Sequence, residues 1–199
     1  MPRISRCVRA ARLVLTVGGL LAGIAGHASA APITYTEQAV ASGSLDGVAF
    51  TNANVVLTLL GDTGGVASPA AGLFINGGTS GVSVAGVGTA TFGNSVVVFA
   101  NQGIGFGFTD MALPADVLDT LGAGFASYDL TTALGPQTGM SGFTAQTAFP
   151  TDAGSLMLSA VDGGVTFSAT MAAVPEPASL ALLGAGLLGL GLRLRRRAG

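Results

Sequence analysis

The residues of this chain that could do acid–base chemistry are carboxylates, and between positions 31 and 174 they stand without any basic partner. This stretch holds nine acidic residues: Glu37, Asp46, Asp62, Asp110, Asp116, Asp119, Asp129, Asp152 and Asp162. The eight basic residues of the chain are all arginines outside it, at positions 3, 6, 9, 12, 193, 195, 196 and 197. With nine acids and no base, residues 31–174 carry a formal charge of −9.

The residue types missing from 31–174 exclude several kinds of site. The stretch has no Lys, Arg, Cys, His or Trp, since Cys7 and His27 both precede it. A nucleophilic Ser or Cys needs a neighbouring base, normally His or Lys. Zinc, copper and haem sites need His or Cys, and nucleic acids need Lys or Arg. We therefore expect no cofactor, no metal of these kinds, no nucleic-acid partner and no enzymatic activity.

A carboxylate-only enzyme is the one catalytic class that the composition leaves open. Glycoside hydrolysis uses two acids, and Asp116 and Asp119 stand three positions apart. Sugar sites usually add aromatic platforms, however, and here only Tyr35, Tyr128 and phenylalanines are available. We interpret the two aspartates as a solvated helix face, with the hydrolase as the alternative.

Asp-Gly loops raise the question of calcium. Asp46-Gly47, Asp62 and Asp162-Gly163-Gly164 are the three such places. Calcium prefers six to eight oxygen ligands, usually from clustered carboxylates and carbonyls, and no EF-hand pattern is present. We therefore interpret these residues as turn formers that are used for their backbone conformation.

A different kind of chemistry is indicated by residues 175–199, which combine a short polar motif, an apolar run and a basic end. The motif is Pro175, Glu176 and Pro177, the run is 178–192, and the basic end is Arg193, Arg195, Arg196 and Arg197. A helix of fifteen residues spans roughly 22 Å, somewhat less than a hydrocarbon core of about 30 Å. We predict a transmembrane helix whose arginines stay on the cytoplasmic side.

This tail resembles the PEP-CTERM sorting signal of Gram-negative bacteria. The resemblance rests on the polar motif, the run and the basic end, and covers about 25 residues of the 199. It implies recognition by an exosortase, a membrane-embedded cysteine protease that removes the tail. It also implies transfer to the cell exterior, often in strains that make exopolysaccharide. The alternative is an ordinary membrane anchor behind a proline-rich hinge.

Residues 1–30 have the three regions of a secretory signal peptide. Four arginines, at positions 3, 6, 9 and 12, precede an apolar stretch over 13–26, and Ala28-Ser29-Ala30 follows. Signal peptidase needs small residues, here Ala28 and Ala30, so we predict export by the Sec machinery and Ala31 as the first residue of the mature protein. The alternative is an N-terminal membrane anchor.

The segment between these ends, 31–174, predicts one all-β domain. Short apolar stretches recur with turn residues between them, as at 33–36, 48–51, 55–60, 89–92 and 104–109. The uncharged segment 95–100 (SVVVFA) is either a buried central strand or an assembly edge. We expect an antiparallel β-sandwich of jelly-roll type, with a regular β-helix as the alternative.

Two further elements are predicted in this domain. Leu113, Val117, Leu118 and Leu121 share one face of a helix, so we expect one short helix that ends near Gly122. Residues 155–160 and 165–171 alternate between apolar and polar, and Asp162-Gly163-Gly164 separates them. This pattern predicts a final hairpin that runs directly into the tail.

Together these features predict a non-enzymatic surface or extracellular-matrix protein. We expect it to be held briefly in the inner membrane, processed by an exosortase, and then placed on the cell surface or outside the cell. Exopolysaccharide and the biofilm are the expected surroundings. The alternative is an adhesive or carbohydrate-binding module, with or without calcium.

Overall fold

The computed structural model describes residues 30–113, 115–122, 126–143 and 146–172, and in addition residues 184, 186 and 187. The chain divides into two compact units, Met1–Ala30 and Ala31–Gly199. The strands in the described part of the second unit are β1 Pro32–Leu45, β2 Val48–Asp62, β3 Ala67–Ala70, β4 Leu73–Asn76, β5 Gly78–Val84, β6 Gly88–Thr91, β7 Val96–Asn101, β8 Gly105–Asp110, β9 Ala115–Leu121, β10 Leu134–Gly142, β11 Ala148–Thr151 and β12 Gly154–Met171. A single turn of 3-10 helix, Thr63–Gly65, follows β2.

The strands pair antiparallel along one hydrogen-bonded path. Its order is β3, β4, β7, β8, β9, β10, β12, β1, β2, β5 and β6, and β11 pairs with β12 beside the path. Strand β10 pairs with β12 over Leu134–Gly139 and with β9 over Met140–Gly142. It therefore passes from one sheet to the other. The result is the all-β, sandwich-like fold that the alternating pattern predicted.

The core lies between the two sheets and is filled by alternate residues of the long strands. In one sheet Tyr35 of β1 and Phe167 of β12 are fully buried, and in the other Phe106 of β8 is fully buried. The rings of Phe106 and Phe167 lie 4.9 Å apart between centroids, and Phe106 meets Tyr128 edge-on at 5.2 Å. The contact between Phe106 and Phe167 joins the two sheets. Such contacts stabilise the fold, because removing apolar area from water is its main favourable free-energy term.

Strands β1 and β12 form the centre of one sheet. They are 14 and 18 residues long, and they pair from Ile33↔Met171 to Leu45↔Leu156. Strand β2 lies on the other side of β1. The first and last strands of the domain are thus direct neighbours.

The predicted short helix is wrong. Residues Ala115–Leu121 form strand β9. Leu118 pairs with Phe108 while Asp116 pairs with Thr109, so a β-bulge at Val117 places one extra residue in this strand. The bulge lets the adjacent residues Val117 and Leu118 both be buried. Two buried neighbours in an otherwise alternating strand imitate the spacing of a helical face.

The predicted final hairpin is also wrong, because β12 continues through it as one strand. Gln38 pairs with Thr166 and Val40 pairs with Asp162, so three residues of β12 lie opposite one residue of β1. Asp162-Gly163-Gly164 therefore forms an irregularity inside the strand, with Gly163 at a φ of 76°, and does not reverse the chain. Asp-Gly supplies the left-handed backbone that either a turn or a bulge needs.

The segment SVVVFA is a buried central strand, which decides between the two alternatives left open by its sequence. Strand β7 pairs with β4 on one side and β8 on the other. Val96, Val98 and Ala100 are buried in the core. No free edge is formed by this segment among the described residues.

Candidate functional site

The sorting segment begins where the central strand of the domain ends. Strand β12 stops at Met171, which pairs with Ile33, and the amide of Ala172 donates to the carbonyl of Pro32 over 3.0 Å. Three residues, 172–174, stand between β12 and Pro175. The predicted motif Pro175, Glu176 and Pro177 lies outside the described residues.

At the same end of the sheet, Ala31, just before β1, is hydrogen-bonded to Thr63, just after β2. The amide of Ala31 donates to Thr63 Oγ1 over 2.9 Å, and the Ala31 carbonyl accepts from the amide of Thr63 over 3.0 Å. Ala31 is consequently buried. Ala30, one of the two residues predicted for signal peptidase, is exposed, while Ala28 is outside the described residues. The signal peptide stays a prediction.

A network of buried hydrogen bonds, centred on Tyr35 and Asn76, lies close to this end of the sheet. The Tyr35 hydroxyl donates to the carbonyl of Leu130 over 2.6 Å, and Asn76 Nδ2 donates to the Tyr35 hydroxyl over 2.8 Å. The same amide donates to the carbonyl of Asp62 over 3.0 Å. Burial raises the pKa of Tyr35 to about 12. These hydrogen bonds connect β1, β2 and β4 to the segment that precedes β10, at the end of the sheet where β12 stops.

The sequence reasoning missed a buried acid, Glu37. Its side chain is fully buried, and Thr120 Oγ1 donates to Glu37 Oε1 over 2.7 Å. Oε2 has no hydrogen-bond partner among the described residues. Loss of hydration raises the pKa of Glu37 well above its ordinary value, and the charges of Asp119 and Asp116 raise it further. Burial in the core thus favours the protonated form of Glu37.

The alternation of β1 carries a signal that points to Glu37. Ile33, Tyr35, Ala39 and Ala41 all face inward, and Glu37 occupies the same set of alternate positions. A charged residue type at an inward position predicts either a partner or a shifted pKa. The Thr120 hydroxyl donates the one hydrogen bond described for Glu37, which does not replace the lost hydration of a carboxylate, so the pKa of Glu37 is raised.

Asp116 and Asp119 lie on one face of β9, although that face belongs to a strand and not to a helix. They pair with Gly107 and Thr109, the positions of β8 that alternate with the core residues Phe106 and Phe108, and the bulge keeps the two aspartates on that side. Asp119 packs over Gly107 and Gly142, where an added Cβ would collide with the carboxylate or approach it closely. Burial and the charge of Asp116 raise the pKa of Asp119 to about 8.

Burial raises the pKa of both Glu37 and Asp119 and so favours the protonated form of each acid. A neutral carboxylic acid beside another acid is also what a general acid requires. Glu37 lies inside the core, however, while Asp119 faces away from it. The two acids with raised pKa values are thus on opposite sides of the sheet that contains β9, and they do not flank a common substrate position.

The three Asp-Gly places do not come together. Asp46 follows β1 at one end, with a φ of 51°, and Asp62 pairs with Pro32 at the other end. Asp162 lies opposite Val40. No group of three acids, His or Cys that could hold a metal ion is present in the described ranges. Their backbone positions agree with the interpretation as turn and bulge residues.

The tail itself is described only at Gly184, Gly186 and Leu187, which are helical. Within the residues that the structure places, no helix has the length and apolar character needed to cross a bilayer. The basic residues Arg193, Arg195, Arg196 and Arg197 are outside those residues. The transmembrane run 178–192 therefore stays a prediction.

Comparison with known protein families finds a match on the tail. A model of the PEP-CTERM protein-sorting motif matches residues 173–197. No curated protein and no solved structure matches the chain. The match begins two residues after the end of β12 and includes the polar motif, the apolar run and the basic end. The chain thus carries a PEP-CTERM protein-sorting motif directly after the last strand of an all-β domain, and this motif indicates an exported protein that is sorted by an exosortase.

Proposed function

We propose that this protein is a non-enzymatic component of the cell surface or extracellular matrix. It is exported, held briefly in the inner membrane by its tail, and processed near Pro175–Pro177 by an exosortase. The observation that carries the proposal is the placement of the motif. The match starts at residue 173, after the last strand is complete, so removal of the tail leaves all twelve described strands in place.

The surface of the domain supports an extracellular role without catalysis. Side chains that alternate with the core residues of β1, β2 and β12 include a group of hydroxyls, here called the hydroxyl face, which consists of Thr34, Thr36, Thr58, Thr166, Ser168 and Thr170. The exposed side chain of Leu60 lies beside it, opposite Thr34. In this face Thr34 lies opposite Thr170, and Thr36 lies between Ser168 and Thr58. A solvent-exposed sheet face that is rich in uncharged hydroxyl groups is well hydrated. It suits a protein that stays in contact with water and polysaccharide.

The experiment is intact-mass and C-terminal peptide analysis of the protein from the surface and medium of its own host. We expect a chain that starts at Ala31 and lacks residues 178–199. The matched control replaces Pro175, Glu176 and Pro177 by alanine, and this variant should keep its tail and stay with the inner membrane. If the unaltered protein keeps its tail in the inner membrane, it is a tail-anchored periplasmic domain and the proposal is wrong.

The hydroxyl face also favours a second candidate, an adhesive or carbohydrate-binding module. Thr138 Oγ1 and Thr166 Oγ1 lie 2.8 Å apart, which extends the row of hydroxyls onto β10. Such a row can exchange hydrogen bonds with sugar hydroxyls, although Trp is absent from the whole chain. A glycan array with and without EDTA tests this candidate. Loss of binding in Thr36→Val, without loss of stability, would place the glycan on this face.

A further inference from the structure

The end of β12 is the part of the fold that a tail-removing protease must approach. From Met171 to Pro175 the chain advances four residues, which at about 3.3–3.6 Å each gives at most roughly 13–14 Å. A membrane-embedded protease must therefore act close to the Pro32–Met171 end of the sheet. Extended peptides are commonly recognised through their main-chain hydrogen-bonding groups. In the folded domain the Ala172 amide donates to the carbonyl of Pro32, so it cannot at the same time donate to a protease.

Among the residues that the structure describes, the last residues of β12 pair with a strand on one side only. Strand β1 pairs with β12 out to Met171, but the pairing of β10 with β12 ends at Leu134↔Ala169. Residues 170–172 therefore have β1 as their neighbour and no partner from β10. Strand ends of this kind open locally at much lower free energy than the core.

Burial sets how far such opening can go. Thr170 and Met171 are exposed, and Met171 retains 41% of its accessible surface. Ala169 and Phe167 are buried at 2% and 0%, so separation beyond Thr170 would open the core. On the other side, the two hydrogen bonds between Ala31 and Thr63 keep the start of β1 in place. Opening at this end is thus confined to 170–172 of β12.

From this geometry we propose that separation of residues 170–172 from β1 controls the rate at which the tail is removed. The inference rests on the proposed function, and concerns access to the motif. The reaction itself hydrolyses one peptide bond, taking up one water and leaving a carboxylate on the domain and an amine on the tail. The folded domain slows this step because the paired end of β12 withholds main-chain groups next to the motif.

The test is a pulse-chase measurement of tail removal in the host, with the full chain. An eight-residue Gly-Ser linker inserted between Ala172 and Ala173 moves the motif away from the sheet. We expect removal to become about 5- to 30-fold faster, the factor that corresponds to 1–2 kcal/mol of local pairing. The matched control carries the same linker at Gly86, in a turn with open space around it, and should be processed at the normal rate.

A second variant acts in the opposite direction. Thr34 and Thr170 are opposite each other on the outer face, and T34C/T170C would form a disulfide in an oxidising periplasm, where the mature domain has no other Cys. We expect at least a fivefold slower removal, restored by reductant, while T34C and T170C alone behave normally. If the linker and the disulfide each change the rate of tail removal by less than twofold, or if the linker slows tail removal, the inference is overturned. If the tail of the unaltered chain is never removed, the proposed function fails instead.

Discussion

Stability of the domain should fall as the pH rises from 5 to 8, and Asp119→Asn should weaken this dependence. The folded pKa of Asp119 is about 8, raised from an ordinary value of 3.8 by burial and by Asp116. Between these two values the folded protein holds a proton that the unfolded chain releases. The contribution is therefore fully present below about pH 4 and is lost as the pH rises through 8.

The magnitude follows from one proton. A single proton changes the free energy of unfolding by at most about 1.4 kcal/mol per pH unit. Solvent reaches part of the Asp119 side chain, so we expect about half of this limit. From pH 5 to pH 8 the wild-type protein should thus lose about 2 kcal/mol that D119N, with its permanently neutral amide, does not lose.

Urea unfolding of the processed protein, followed by far-ultraviolet circular dichroism at several pH values, measures the effect. The matched control is D116N, which removes the neighbouring charge and leaves Asp119 able to titrate. Because Asp116 raises the pKa of Asp119, D116N should move the upper end of the stability loss to lower pH. Equal pH slopes for wild type and D119N would refute the reasoning, provided the urea dependence of the three proteins is the same.

Three further predictions concern packing, hydrogen bonding and calcium. Tyr35→Phe should lower the free energy of unfolding by about 1–3 kcal/mol, because Asn76 and the Leu130 carbonyl lose a buried partner; urea titration checks this, and no change would contradict the network. Phe167→Ala should cost about 3–5 kcal/mol, as it removes a fully buried ring that contacts Phe106; a loss below 1 kcal/mol would contradict the described core. Millimolar calcium should raise the melting temperature only slightly, and a shift of many degrees in a thermal scan with and without EDTA would show a site that the separated Asp loops do not form.

Alternation of apolar and polar residues was sufficient to predict the fold class, because a half-buried strand requires it over most of its length. Phe106 and Phe108 illustrate this, since both are fully buried as their spacing predicted. Ile104 continues the pattern in sequence but lies in the turn before β8 and is 56% exposed. The alternation does not show where a strand begins.

Local irregularities could not be predicted in the same way. The bulge at Val117 gives β9 a helical appearance, and the irregularity at Gly163 gives β12 the appearance of a hairpin. In both cases the partner strand decides between the two structures, and the partner is distant in sequence. The proton affinity of Asp119 likewise depends on Gly107 and Gly142, which leave room for the carboxylate across three strands.

For the site, the sequence was more informative about the tail than about the domain. The Pro175–Pro177 motif, the apolar run and the basic end are contiguous, so the sorting signal can be recognised without any fold, and the match over 173–197 confirms it. The strand that precedes it, β12, is held against β1 by pairing that extends to Ile33↔Met171. That contact joins positions 138 residues apart, and no local pattern specifies it.

The pairing of the first strand with the last also has a kinetic consequence for secretion. Contacts between distant parts of a chain form slowly, because a long loop must close before they contribute to stability. Until residues 154–171 have crossed the membrane, β1 and β10 lack their common neighbour, so β10 cannot connect the two sheets. We therefore expect the chain to remain unfolded while it crosses the membrane and to complete its fold only after β12 has followed. On this reasoning, the order of the strands couples completion of folding to completion of transport.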